Sequence, residues 1–302
     1  MFIILHCAIT RLFLCFSHEN LCLLVYCEKK YFIPRHDERL HCRCFCTEDI
    51  LSMNTTHHAH QNTTKFSLLT AENLEITLVY FLMFAGGLWH ILNVLQMAMS
   101  LLAAPMVFML ALWIAFRYDQ TLRQYRTESE TPTITARFHW WNVIVTVATY
   151  IIEFIGVKTG LIFGHYAYTD VWIPAFRGVP FAIGFAWLGM LLTSFGLMQR
   201  ITALENRSIW LKAFVIAILM TIFDIFMEPV AVKLNYWQWI DKTGHAFFVA
   251  PMKNYLAWFV ISYVLALGAL RVGLFAQKMP RVALHGYWAQ LLYFSMVALG
   301  KA

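Results

Sequence analysis

The chain has 302 residues, of which 60% are aliphatic, aromatic or sulfur-containing and only 13% are charged. A soluble globular protein carries about 25% charged residues, so this composition excludes an ordinary soluble domain and indicates a chain surrounded mostly by lipid. The formal net charge of +6 comes from scattered lysines and arginines. Without a basic block, the sequence gives little support for nucleic-acid binding.

Residues 1–52 differ in composition from the rest of the chain. They contain all seven cysteines and no glycine, since the first glycine is Gly86. Polar residues interrupt their apolar part, so no stretch reaches the ~20 residues of a membrane span, and a signal-peptide pattern is also missing. A polar tail typical of a cytoplasmic N-terminus begins at Met53 and covers residues 53–73. We therefore predict that Met53 is the natural start and that residues 1–52 are a misassigned, non-homologous extension.

One histidine and three cysteines near the end of this extension could in principle bind zinc. These residues are His41, Cys42, Cys44 and Cys46. Structural zinc sites usually pair cysteines with two to four residues between them, and a C-x-C-x-C run without a second pair matches this pattern poorly. We therefore expect no metal site in this chain.

From residue 74 to residue 302, apolar stretches alternate with polar breaks. Several stretches approach the ~20 residues that a transmembrane helix needs, and the pattern predicts an all-α membrane bundle of about seven transmembrane helices. The predicted helices cover residues 74–95, 99–117, 138–163, 180–199, 208–228, 254–275 and 283–300. The break between the first two helices contains no charge, which predicts a tight hairpin.

The loop charges predict the orientation of this bundle. Lysine and arginine are more frequent in the loops after the second, fourth and sixth helices than in the opposite loops. Because positively charged loops remain in the cytoplasm, we predict a multi-pass protein of the cell (inner) membrane with a cytoplasmic N-terminus. Beyond Arg137, five of the six acidic residues are then expected at the opposite end of the bundle.

Glu153 lies within the third apolar stretch, where an acid is costly and indicates a functional site. The alternative is a carboxyl group that pairs with Lys158 or reaches the membrane interface. Gly156, Gly160 and Gly164 recur every fourth residue, a spacing that predicts one glycine-lined helix face shared with Glu153. This face would place Glu153 inside the bundle. An aromatic and polar run follows, consisting of His165, Tyr166, Tyr168, Thr169, Asp170 and Trp172.

Asp224 and Glu228 lie four residues apart at the end of the fifth predicted helix, so they share one helix face. Because Pro229 disfavours a helical conformation at the preceding residue, we expect the helix to end at Glu228. Two carboxyl groups this close in a partly dry site titrate as a pair, and one can keep a proton near neutral pH, as a general acid must. The alternative is a juxtamembrane pair neutralised by Lys233.

The next loop and the start of the sixth helix are rich in tryptophan. The residues of interest are Tyr236, Trp237, Trp239, Asp241, His245, Asn254 and Trp258. Tryptophans in such a place can be interfacial anchors, and an asparagine at a helix start is often only a cap.

Four ordered motifs in this region resemble the membrane carotenoid biosynthesis proteins, whose characterised members are carotenoid 1′,2′-hydratases and bisanhydrobacterioruberin hydratases. The motifs are EFIGVKTGLIFGHYAY from Glu153, FDIFMEPVA from Phe223, YWQW from Tyr236 and APMKNYLAW from Ala250. The resemblance covers roughly residues 74–300. This chain has Glu228 where many relatives have aspartate, and Ala250 where glycine is common, but neither difference removes a functional group.

The resemblance implies cofactor-free hydration of the terminal double bond of a ψ-end carotenoid, such as γ-carotene or lycopene, to a tertiary 1′-alcohol. Asp224 and Glu228 are then the candidate proton donors, and Glu153 would orient water or accept its proton. The aromatic rings of Tyr166, Tyr168, Trp237 and Trp239 could stabilise the tertiary cation, and Asn254 and Trp258 complete the expected substrate site. The expected partners are a lipophilic carotenoid, water, the bilayer and other enzymes of the carotenoid pathway.

Two other functions remain open at this point. An intramembrane prenyltransferase would hold magnesium and diphosphate, and the Asp224-x-x-x-Glu228 motif is faintly similar to the motifs used for that purpose. Such an enzyme needs two acidic motifs and basic ligands for the diphosphate, and this sequence has only one short acidic motif. A transporter or pigment-binding protein could use intramembrane acids to relay protons, although the two halves show no clear inverted repeat.

Overall fold

The computed structural model describes residues 3–7, 10–17, 20–24, 70–124, 131–241 and 248–300. The chain divides into two units, Met1–Leu68 and Leu69–Ala302. In the first unit, three strands form one antiparallel sheet in chain order: β1 (Ile3–Cys7), β2 (Thr10–Ser17) and β3 (Asn20–Leu24). Three of the sequence predictions fall outside the described residues. They are the cluster from His41 to Cys46, the start at Met53 and the loop residue His245.

The second unit is a bundle of seven α-helices within the described ranges, which confirms the predicted all-α membrane fold. The helices are α1 (Ala71–Ile91), α2 (Gln96–Gln124), α3 (Thr131–Thr159), α4 (Ala182–Met198), α5 (Ile209–Lys233), α6 (Met252–Arg271) and α7 (Arg281–Leu299). All except α4 are long and apolar enough to cross a membrane. The chain is therefore a multi-pass membrane protein.

The short helix α4 is the centre of the bundle. Its 17 residues rise by about 26 Å, nearly all of them are buried, and they pack against α2, α3, α5 and α7. Glycines allow this close packing: a Cβ at Gly184 would lie 2.5 Å from the carbonyl oxygen of Thr146 in α3, and one at Gly196 would lie 2.6 Å from the Cβ of Ala283 in α7. The apolar residues of α4 therefore form the interior of the bundle and do not face lipid.

The predicted hairpin of the first two helices is only partly right. The connection between α1 and α2 is short, at residues 92–95, but α1 packs mainly against α7 and α2 packs mainly against α4. The two helices make only a few contacts with each other. A short connection fixes the distance between two helix ends, whereas the packing partner depends on the apolar surfaces of the whole bundle.

Several helices begin or end at other residues than predicted, and two of these differences lie at the predicted site. Helix α5 continues through Pro229 to Lys233, because packing against α6 and α7 overrides the local bias against helix before a proline. Helix α3 ends at Thr159, and Gly160 and Gly164 adopt positive φ angles of 65° and 108°. These two glycines therefore belong to a turn, and the predicted glycine-lined helix face does not exist beyond Gly156.

Four short strands lie in the connections between the helices. They are β4 (Tyr166–Tyr168), β5 (Ala175–Phe176), β6 (Val179–Pro180) and β7 (Trp237–Trp239). Strand β4 pairs with β7, and β5 pairs with β6, each pair being antiparallel.

Candidate active site

The β4–β7 pair brings four aromatic residues to one face at one end of the bundle. Tyr166 pairs with Trp239, and Tyr168 pairs with Trp237. Because side chains alternate along a strand, residues two apart point to the same side. Strand β4 follows α3 and strand β7 follows α5, so the pairing joins the ends of the two helices that carry the predicted acids.

Glu153 is buried in α3, with 4% of its surface exposed, and three side chains donate hydrogen bonds to it. The hydroxyl groups of Tyr166 and Tyr168 lie 2.5 Å and 3.0 Å from Oε2, and the indole nitrogen of Trp187 lies 2.9 Å from Oε1. The proposed pairing with Lys158 does not occur: the Lys158 ammonium lies 5.9 Å from the centre of the Phe154 ring. Glu153 is thus a bundle-interior carboxyl, as the sequence predicts.

Glu228 is also buried and accepts hydrogen bonds from two indoles. The Nε1 atoms of Trp237 and Trp239 lie 3.1 Å and 2.7 Å from its Oε2, so these tryptophans are more than interfacial anchors. The alternative of neutralisation by Lys233 is wrong. The Lys233 ammonium instead donates to the carbonyl oxygens of Val297 and Gly300 at 2.8 Å and 2.6 Å.

Asp224 lies one turn before Glu228 and is fully buried. Its Oδ2 accepts a hydrogen bond of 2.7 Å from Nδ2 of Asn254, which lies 3.5 Å from Oε1 of Glu228 as well. The helix cap of α6 is Pro251 and not Asn254, so Asn254 links two acids instead of capping the helix. Oδ1 of Asp224 is buried and has no hydrogen-bond partner among the described residues.

Trp187 is a site residue that the sequence analysis missed. Its ring stacks on that of Trp258, with centroids 3.8 Å apart and planes inclined by 13°. It lies in the middle of α4, an apolar helix in which nothing distinguishes a tryptophan of the site from a core tryptophan. Only the hydrogen bond to Glu153 reveals its role.

A small cavity lies between the acids and the aromatic rings, with about 20 Å³ open to a water molecule. That volume holds about one water. Its walls are formed by Glu153, Phe163, Tyr166, Tyr168, Ile183, Met227, Glu228, Trp237, Trp239, Asn254 and Trp258. Asp224 lies behind this wall, next to Glu228. The structure therefore brings all nine predicted site residues together, eight of them on the wall of the cavity and Asp224 just outside it.

An exposed pair of residues, His165 and Asp241, lies at one end of the β4–β7 strand pair. Oδ2 of Asp241 accepts hydrogen bonds from the backbone nitrogen of His165 at 2.9 Å and from its Nδ1 at 3.0 Å. These two bonds hold the pKa of Asp241 below its ordinary value of 3.8, and the bond from the backbone nitrogen has the larger effect. The carbonyl oxygen of His165 accepts a bond from the nitrogen of Ile240 at 2.8 Å, so the pair joins the two chain segments that carry the aromatic residues.

Comparisons with known proteins identify the family of this chain. The sequence profile of a family described as carotenoid biosynthesis proteins matches residues 106–300. A bisanhydrobacterioruberin hydratase from Haloarcula japonica is 27% identical over 139 residues, which cover 45% of this chain and 46% of that protein. The matched region thus spans just under half of the relative's length, and no solved structure matches the chain. Because the family profile covers well over half of its residues, this chain belongs to the carotenoid biosynthesis protein family.

Proposed function

We propose that this protein is a carotenoid 1′,2′-hydratase that adds water, without a cofactor, to the terminal double bond of a ψ-end carotenoid such as γ-carotene or lycopene. Membership of the family and the similarity to a hydratase support a carotenoid-modifying enzyme. The observation that carries the finer proposal is a water-sized cavity whose wall contains two buried carboxyl groups and several aromatic rings. Hydration of an isolated alkene needs these parts: an acid, a water molecule and a surface that tolerates a cation.

The proton donor is the pair of Asp224 and Glu228, two buried carboxyl groups that are linked by Asn254. One of them holds a proton, because two buried carboxylates this close would repel each other. Glu228 reaches the cavity, whereas Asp224 lies behind it and acts through Glu228. The proton passes from Glu228 to carbon 2′ of the alkene, whose π electrons form the new C–H bond. A tertiary cation then remains at carbon 1′. Proton transfer by a positioned carboxyl group contributes about 10²- to 10⁴-fold to a reaction rate.

Glu153 accepts the proton that the attacking water loses. Two hydroxyl groups and one indole donate to it, an arrangement that suits a carboxylate because a carboxylate accepts hydrogen bonds only. The water oxygen bonds to carbon 1′, and its extra proton moves to Glu153. This proton returns through water to the pair of Asp224 and Glu228, so that one water is consumed and the protein is restored.

The aromatic rings stabilise the cation while it exists. Tyr168 and Trp237 lie edge to face, with centroids 5.8 Å apart, and Tyr166 and Trp239 have centroids 5.0 Å apart. An aromatic face near a cation contributes roughly 0.5–2 kcal/mol. The same indoles fix Glu228 through their N–H groups, so each tryptophan both holds the acid and lines the cavity.

We infer the orientation of the bundle from its loop charges. A cytoplasmic N-terminus places the acid-lined end, which includes the ends of α3 and α5, on the outer side of the inner membrane. Water then enters from that side and the carotenoid arrives through the bilayer. Other enzymes of the carotenoid pathway exchange substrate and product with this protein through the same lipid phase.

Expression in a bacterial host that accumulates γ-carotene tests the proposal. The expected result is a carotenoid heavier by one water, formed also in membranes treated with a metal chelator. Glu228→Gln in the same host is the matched control, with the amount of protein in the membrane measured by immunoblot. Unchanged γ-carotene beside a normal amount of the unsubstituted protein would contradict the hydratase function, and loss of the hydrated product with the chelator would contradict hydration without a metal.

A further inference from the structure

A second, larger cavity lies beside the acid-lined one. It has a volume of about 110 Å³. Its walls are formed by α1, α2, α4, α5 and α7 and by three loop residues, Trp172, Tyr236 and Trp237. None of the described side chains that line it carries a charge. Met227 and Trp237 line both cavities, so these two side chains form the partition between them.

This cavity approaches the lipid along the line where α1 and α2 face each other. Leu82 of α1 lines the cavity and is 43% exposed, and Ala103 and Val107 of α2 are half-exposed. On the inner side, Phe223 and Val230 of α5 are buried. Because α1 and α2 make few contacts with each other, the least packed part of the cavity wall is the part that faces the bilayer.

We propose that this apolar cavity binds the terminal isoprenoid group of the carotenoid, which enters laterally from the bilayer between α1 and α2. The identity of the ligand rests on the proposed hydratase function. An apolar cavity of about 150 Å³ binds benzene, which has six carbons, so one of 110 Å³ holds an end group of about four or five carbons, the size of one isoprene unit. The rest of the polyene remains in the lipid, and the protein recognises one end of its substrate and not its whole length.

The two cavities then divide the reactants between them. The smaller one has room for about one water, beside Glu153 and Glu228, and the larger one offers the apolar surface that the alkene needs. The reactants meet at the partition of Met227 and Trp237. Methionine is unbranched and has three rotatable bonds, so the side chain of Met227 can turn aside and expose the alkene to Glu228 without movement of the helix backbone.

Photo-crosslinking tests where the carotenoid binds, independently of catalysis. The photoreactive residue p-benzoylphenylalanine replaces Val107, which lines the cavity, or Met109, which lies on the same helix, is 67% exposed and lines no part of the cavity. Both are made in the Glu228→Gln background in the γ-carotene host, so that the substrate accumulates. We expect a carotenoid adduct that is several-fold more abundant at position 107. Equal labelling at the two positions would overturn the proposal.

A second measurement reports on the entry of the substrate. Ala103→Phe fills the cavity, and Leu102→Phe adds a ring to the neighbouring lipid-facing position of the same helix. In Ala103→Phe the substrate can bury about two methylene groups fewer, so we expect its KM to rise by about tenfold. The KM of Leu102→Phe should stay close to that of the unsubstituted protein. Equal KM values for both variants would count against the site. If the adduct forms at position 107 but the unsubstituted protein hydrates no carotenoid, the binding site is supported and the proposed function is contradicted. Failure of the binding site can therefore be distinguished from failure of the proposed function.

Discussion

The indole rings of Trp187 and Trp258 stack with a centroid distance of 3.8 Å and an interplanar angle of 13°. This contact joins the central helix α4 to α6. It also directs the N–H group of Trp187 toward Oε1 of Glu153, at 2.9 Å. The position of one acid of the site therefore depends on the packing of two helices, neither of which carries that acid.

We expect Trp187→Phe to lower kcat/KM by about 10- to 100-fold, because a hydrogen bond to a charged group contributes about 1.5–3 kcal/mol. Phenylalanine keeps most of the ring stacking and removes only the donor. Trp258→Phe is the comparison, since it changes only the ring on which Trp187 stacks and keeps the N–H donor of Trp187 itself. Product formation in reconstituted membranes measures both. An unchanged rate in Trp187→Phe would show that this indole does not support the function of Glu153.

The amide substitutions Glu228→Gln and Asp224→Asn each remove one carboxyl group from the buried pair that Asn254 links. Each is expected to lower the hydration rate by about 10²- to 10⁴-fold, the usual contribution of a positioned acid. The matched control is Asp119→Asn in α2, because Asp119 is another buried acid, bound by Arg123 at 2.7 Å and His139 at 3.0 Å. This control is expected to lower the melting temperature but not the activity per folded molecule. Full activity in Asp224→Asn would mean that Glu228 holds its proton without help.

The sequence contained enough information to place the seven helices and to gather the three acids, because apolar length and charge are properties of local segments. It could not show that α5 continues past Pro229, since that depends on packing against other helices. The glycine-lined helix face predicted from the every-fourth spacing of Gly156, Gly160 and Gly164 was wrong beyond Gly156. Such a spacing fits a packed helix face, but two of these residues have the positive φ angles of a turn.

The role of the aromatic residues was visible only in part. The tryptophans of β7 and the tyrosines of β4 are about 70 residues apart in sequence, and only the pairing of the two strands shows that they face the same acids. Trp187 gave no signal at all, because a tryptophan in an apolar helix looks like a core residue. Long-range pairing and buried hydrogen bonds are thus the features that local patterns do not carry.

Gly156 is expected to be a stability position. A Cβ there would lie 2.6 Å from Cδ2 of Phe163, a ring on the wall of the small cavity. Gly156→Ala should therefore displace that ring and destabilise the protein by about 1–3 kcal/mol, as overpacking does. Gly268→Ala in α6 is the control, because a Cβ there meets nothing within 4 Å, and helix propensity favours alanine by up to about 1 kcal/mol. Thermal unfolding in detergent compares the two, and equal melting temperatures would contradict the close contact with Phe163.

Asp241, which pairs with His165 next to the site, is expected to make the free energy of unfolding depend on pH. Hydrogen bonds from His165 lower its pKa from 3.8, so the folded state favours the ionised carboxylate. A group with a lowered pKa stabilises the fold above its ordinary pKa, and this stabilisation is lost as the pH falls through the lowered value. Asp241→Asn should therefore have a lower melting temperature than the unsubstituted protein at pH 7, and the difference should shrink as the pH falls below 3.8. Amide hydrogen exchange at Ile240, which bonds to the carbonyl of His165, should be faster in the variant over the same pH range. A difference that stays constant down to the lowest pH would show that the side chain acts by its shape and not by its charge.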